Sequence, residues 1–187
     1  MRWFLVSHAD LPLGARLWTF GGSSYADDDG WRLERGTLRA PGGYLELSLD
    51  SSAAALQSPP DQVIRTTTIE SLILGLHDAS TLESLQVFAR LDENAAWIAV
   101  TPALAAAALE KINAGLRARL AWPAPWRAAS AIASQLKVDL RFRTGMQHAR
   151  IDRVALYPAA QAARGDPRAL RVGVGWLRSA AAADVHR

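Results

Sequence analysis

The sequence predicts a mainly β protein: an antiparallel, jelly-roll-like β-sandwich with one amphipathic helix packed on it. Three observations carry that expectation. Apolar and polar residues alternate in short runs along the chain, most clearly at Leu45, Leu47 and Leu49 and at Leu136, Val138, Leu140 and Phe142. A period of two marks a strand with one buried face. Turn residues break these runs at short intervals, as in sandwiches and barrels, and one segment, residues 102–120, instead spaces its apolar residues by four.

Taken in order, RLWTF (Arg16 to Phe20) is the first strand, ended by Gly21-Gly22, and WRLERGTLRA supplies two extended pieces around Gly36. GYLELSL is a strand closed by Asp50 and the serines after it. Pro59-Pro60 then imposes an extended loop. Val63 to Leu76 is rich in β-branched residues and too long for one flat strand, so it bends around Thr66 to Glu70. LQVFARL follows, closed by Asp92-Glu93-Asn94, and AAWIAV returns as the second arm of a hairpin whose Trp97 is read as core.

Thr101 is a good N-cap and Pro102 suits a first helical position. Leu104, Ala108, Ile112, Leu116 and Leu120 then form a stripe, with Glu110, Lys111, Asn113, Arg117 and Arg119 on the other faces and Pro123 as the stop. WPAPWR (Trp122 to Arg127) is a rigid turn and AASAIAS a further helical turn. QLKVDLRFR is a strand whose open face carries Lys137, Asp139, Arg141 and Arg143. After a turn around Gly145, ARIDRVALYP is the last strand. Residues 1–158 are therefore expected to form the sandwich domain, with its helix at 102–120, and residues 159–187 a linker-like tail.

Composition bounds the function. A chain of 187 residues, half hydrophobic and about a fifth charged, suits one domain with a sizeable core. The net charge is +3, almost all of the positive charge is arginine, and the basic residues are scattered. A nucleic-acid protein concentrates them on one stripe, so nucleic acid is not an expected partner. Arginine in place of lysine, with abundant alanine, suggests a GC-rich bacterial genome. The absence of cysteine removes disulfides and thiolate chemistry. MRWFLV is cut short by His8 and Asp10, below the apolar stretch of about 7–15 residues of a signal peptide. No run approaches the roughly 18 apolar residues of a membrane span, and no membrane insertion by this segment is expected. The expected compartment is cytoplasmic for a complete chain and periplasmic or extracytoplasmic for an excised domain.

The segment WPAPWR to RIDRVALYP resembles the closing part of galactose-binding-like jelly rolls, the architecture of many carbohydrate-binding modules. In that pattern a tryptophan precedes an outer strand of alternating residues, a glycine turn follows, and the final strand has an I-D-x-I/V-x-L character. Trp126, Leu136 to Arg143, Gly145 and Ile151 to Leu156 match those parts. Upstream, LILGLHDASTLESLQVFARLDENAAW is similar to the paired central strands. The helix expected at 102–120 departs from the commonest version, which has a loop there. The resemblance implies a β-sandwich that binds a glycan or a similar ligand.

The seven tryptophans are the main candidates for such a site, because sugars stack their C–H faces on indole rings. Trp122 and Trp126, held by two prolines, are the expected platform, with Trp31 and Tyr25 as further ligand contacts. YADDDGW (Tyr25 to Trp31) groups three carboxylates, but adjacent aspartates point apart, and a solvated turn fits better than a metal site. His8, His77, His148 and His186 have no shared metal spacing. His77-Asp78 lacks the serine context of a hydrolase, and Glu46 with Asp139 is one carboxylate pair that glycoside hydrolysis could use. Neither GGSS at Gly21 nor GVG at Gly173 completes a phosphate loop. No cofactor, metal or catalytic residue is assigned. The expected function is a non-catalytic carbohydrate- or ligand-binding module of a larger bacterial envelope protein. One alternative is a structural or sensory ectodomain with a protein partner, and the other a polysaccharide-active enzyme.

Overall fold

The computed structural model describes residues 15–20, 28–112, 115–127 and 131–158. The strands are β1 (Arg16–Trp18), β2 (Arg32–Glu34), β3 (Gly36–Arg39), β4 (Leu45–Leu49), β5 (Ala53–Gln57), β6 (Ile64–Arg65), β7 (Ile69–Leu76) and β8 (Leu82–Arg90). They continue as β9 (Ile98–Ala99), β10 (Leu104–Ala105), β11 (Glu110–Ile112), β12 (Gly115–Arg119), β13 (Ile132–Ala133), β14 (Gln135–Phe142) and β15 (His148–Pro158). The first sheet runs β11-β12-β7-β15-β4-β3, with β1 also on β15; the second runs β10-β8-β14-β5-β2, with β9 also on β8. All these pairings are antiparallel, and β6 with β13 forms a separate two-stranded ribbon.

Alternation explains why the sheets stack. Leu45, Leu47 and Leu49 of β4 and Leu72 and Leu74 of β7 turn inward from the first sheet. Leu136, Val138, Leu140 and Phe142 of β14 meet them from the second, in one buried cluster. Burying each such side chain contributes about 1.5–3 kcal/mol. The expected antiparallel β-sandwich is therefore the architecture found. The 159–187 tail lies outside the described residues.

The helix expected at 102–120 is not there. The segment forms β10, a single 3-10 turn at Ala106–Ala108, and the pair β11 and β12. The stripe misleads because positions spaced by four also share one face of a strand, four being twice the strand period. Leu116, Ala118 and Leu120 are buried by that alternation. Gly115 fixes the hairpin: its φ is +133°, and a Cβ there would sit 2.2 Å from the Leu74 carbonyl oxygen. Thr101 is no N-cap either; its Oγ1 accepts from the Val87 amide at 2.8 Å, which ties the segment to β8. Nor does AASAIAS add a helical turn where it is described, since Ile132–Ala133 is β13. Among the described residues, no helix is long and apolar enough to cross a membrane.

β5 is an unforeseen strand. AAALQ carries little β propensity, yet it lies between β14 and β2 with five residues in register against β14. Ala54 and Leu56 pack inward, while Ala53 and Ala55 face outward. Those two small outward side chains shape the surface described next.

Candidate functional site

The expected aromatic platform is part of the core. Trp122 and Trp126 are 6 % and 3 % exposed, and their rings stack on each other at 5.8 Å. The Trp122 Nε1 donates to the Ile69 carbonyl at 2.7 Å, and the Trp126 carbonyl accepts from Thr66 Oγ1. Both indoles are thus held inward, where area burial favours them. Trp31 is 1 % exposed and packs edge-on against Trp18 and Phe20. None of these three rings can stack on a sugar. Tyr25 lies outside the described residues. In the described part of the aspartate cluster, Asp28 closes a turn by accepting from the Gly30 amide, and among the described residues no group of three or more His, Asp or Glu could hold a metal ion.

Trp97 moves the opposite way. It is half-buried on the outer side of the second sheet rather than in the core. The Arg90 guanidinium lies 4.6 Å from its ring centroid and Lys137 Nζ 5.3 Å. Arg90 is itself clamped: its Nε donates to Gln135 Oε1 at 2.7 Å, and Gln135 Nε2 donates to the Ser58 carbonyl at 2.6 Å. A polar chain running through the sheet therefore fixes where Trp97 stands.

From Trp97 the outer face of the second sheet continues into a groove of about 370 Å³. The ladder places its residues. Glu34 of β2 stands opposite Ala55 of β5, which stands opposite Asp139 of β14, which stands opposite Gln86 of β8. One row along, Ala53, Arg141 and Ser84 align in the same way. Side chains on matching positions of antiparallel strands share a face. The alanines therefore form a low floor, and Glu34, Arg35, Ser84, Gln86, Lys137, Asp139 and Arg141 form polar walls around it. Lys137 joins the groove to the aromatic end, 4.7 Å from the Phe88 ring.

Electrostatics mark Asp139 as the pivot of the groove. Its Oδ1 is buried with no hydrogen-bond partner among the described residues, and Lys137 Nζ is 3.9 Å away, too far for a hydrogen bond. Desolvation, chiefly, pushes its carboxyl above the usual value; Lys137 and Arg35 pull it down and Glu34 adds to the rise. The side chain as a whole is 42 % exposed, so the carboxylate still reaches the groove. Glu34 is engaged by Gln57, whose Nε2 donates to it.

The other candidates separate. Glu46 pairs with Arg150 at 3.2 Å on the outer face of the first sheet, across the sandwich from Asp139, so these two carboxylates cannot share a substrate. His77 packs edge-on against Tyr44. Asp78 instead caps the 3-10 turn at Ala79–Thr81 by accepting from Ser80, so it does not orient His77. His148 Nδ1 lies 3.2 Å from Ser48 Oγ. A second hollow of about 200 Å³ is lined largely by aliphatic side chains beside Arg16 and Arg65.

No family model and no curated protein matches the chain. A solved structure does. It is a carbohydrate-binding module, CBM28, specific for non-crystalline cellulose, at 10 % identity and a TM-score of 0.38, covering 73 % of this chain and 90 % of that one. The groove described above stands on this chain's own residues. Sequence reasoning missed the groove because its floor is the unforeseen β5. The outward positions of β14 were legible, since Lys137, Asp139 and Arg141 alternate with the buried leucines.

Proposed function

We propose that this chain is a non-catalytic glycan-binding module that holds its ligand in the groove on the outer face of the second sheet. The observation that carries the reading is the alanine floor of β5 beneath a ring of hydrogen-bonding side chains, one of which, Lys137, also meets the ring of the clamped Trp97. A sugar ring needs close approach to a flat surface and several donors and acceptors around it. The groove offers both, with carboxylate and amide acceptors at Glu34, Asp139 and Gln86 and donors at Ser84, Lys137 and Arg141. Attachment to a larger bacterial envelope protein belongs to the same proposal.

The test is affinity electrophoresis and calorimetry of the purified chain against soluble polysaccharides. The reading predicts saturable retention by at least one polymer, reduced at least about tenfold, or 1.4 kcal/mol, by Asp139→Ala. Trp97→Ala should weaken it by a similar factor. Retention unchanged in both variants would remove the groove from the account.

A second reading has its own observation: Glu34 and Asp139 share one groove. Two strand spacings separate their backbones, about 10 Å, and both line the groove, as the carboxylate pair of a glycoside hydrolase must share one cleft. Release of reducing ends from a bound polymer, lost in Glu34→Gln, would favour this enzyme reading; its absence leaves the binding module.

A further inference from the structure

Ion pairs lie on both outer faces of the sandwich. On the first sheet, Arg150 pairs with Glu46 at 3.2 Å, Arg117 with Glu110 at 3.3 Å and Arg153 with Asp152 at 3.1 Å. On the second sheet the closest ion pair among the described residues is Lys137 with Asp139 at 3.9 Å. Three cations line the groove, Arg35, Lys137 and Arg141, against two carboxylates. One of those carboxylates already accepts from Gln57 and the other is partly desolvated. Among the described residues, no ion pair engages Arg35 or Arg141, although Arg35 acts on Asp139 at longer range. Unspent guanidinium donors around a concave polar floor are a recognition arrangement for planar anions, because the guanidinium fork matches a carboxylate in bidentate fashion.

From this we propose that the ligand is an acidic glycan, a polymer bearing carboxylates on its sugar rings, and not a neutral one. The proposal rests on the glycan-binding reading of the same groove. Arg35 and Arg141 hold ring carboxylates from the two sides, and Lys137 supplies a point charge between them and the aromatic end. Asp139 and Glu34 accept ligand hydroxyls, which selects a polyhydroxylated anion over a bare polyanion such as a nucleic acid.

The experiment compares matched probes on the intact chain: polygalacturonate, the same polymer fully methyl-esterified, hydroxyethylcellulose and duplex DNA. The expected result is binding of polygalacturonate at least about tenfold tighter than of its ester, weakened by added salt as partly exposed ion pairs are screened, and reduced in both Arg35→Gln and Arg141→Gln. Arg35 and Arg141 are surface side chains, so an unchanged thermal midpoint in both variants will separate lost contact from lost fold. Equal or tighter binding of the ester or of hydroxyethylcellulose overturns the acidic class while leaving the module reading in place. Binding of none of the polysaccharides overturns both. Binding of DNA as tight as polygalacturonate also overturns the proposal, since charge alone would then be read.

Discussion

At the residue scale, two tryptophans and one aspartate exchange the roles that their types suggest. Trp122 and Trp126 look like a sugar platform because prolines flank them, yet they stack on each other in the core. Truncating such a ring removes its burial and leaves a cavity, so Trp122→Ala should lose about 3–5 kcal/mol, read as a lower urea midpoint, whether or not a ligand is present. Asp139 was legible as an outward residue of an alternating strand, but nothing in one sequence shows that its Oδ1 is buried without a hydrogen-bond partner. Its carboxyl is raised in the fold above 3.8, so the folded state disfavours the ionised form. That penalty is absent below about pH 3.8, where folded and unfolded chains are both protonated, and it grows as pH rises through the folded value. Asp139→Asn should therefore resist urea better than the wild type at pH 7, with the gap closing toward pH 3. The gap will be small, because water screens a side chain 42 % exposed.

At the element scale, strands with one buried face were the readable part. β4 and β14 follow period-two alternation closely, because sandwich stacking requires one apolar face. Two elements were not readable for separate reasons. The run from Leu104 to Leu120 has a spacing that suits helix and strand alike, and tertiary pairing of β12 with β7 decides the matter. Gly115→Ala tests that decision: a Cβ would meet the Leu74 carbonyl oxygen and an L-residue would be forced to φ +133°. A stability loss of at least about 2 kcal/mol is expected, where a helix interior would gain from the same change. β5 was hidden because alanine has no strand preference, and its function is to be small. Ala53→Trp should fill the groove and abolish polysaccharide retention while shifting the thermal midpoint by only a few degrees, since the side chain points away from the core.

At the scale of the whole molecule, one buried core holds two outer faces, and the groove lies on only one of them. Arg117, Arg150 and Arg153 of the first sheet each meet a carboxylate, whereas Arg35 and Arg141 beside the alanine floor have no ion pair among the described residues. The sandwich class and the inward faces follow from the sequence, because burial is encoded in alternation. The groove does not, because it arises where β2, β5, β8 and β14 align, and that register is settled by long-range pairing. The most direct measurement is amide chemical-shift mapping of the labelled chain during titration with oligogalacturonides and, separately, cello-oligosaccharides. The account predicts that the shifts with a bound oligomer cluster at residues 53–57, 84–90 and 137–141, with Trp97 among them. Shifts confined to β4, β7, β12 and β15, or no shift with either oligomer, would contradict it.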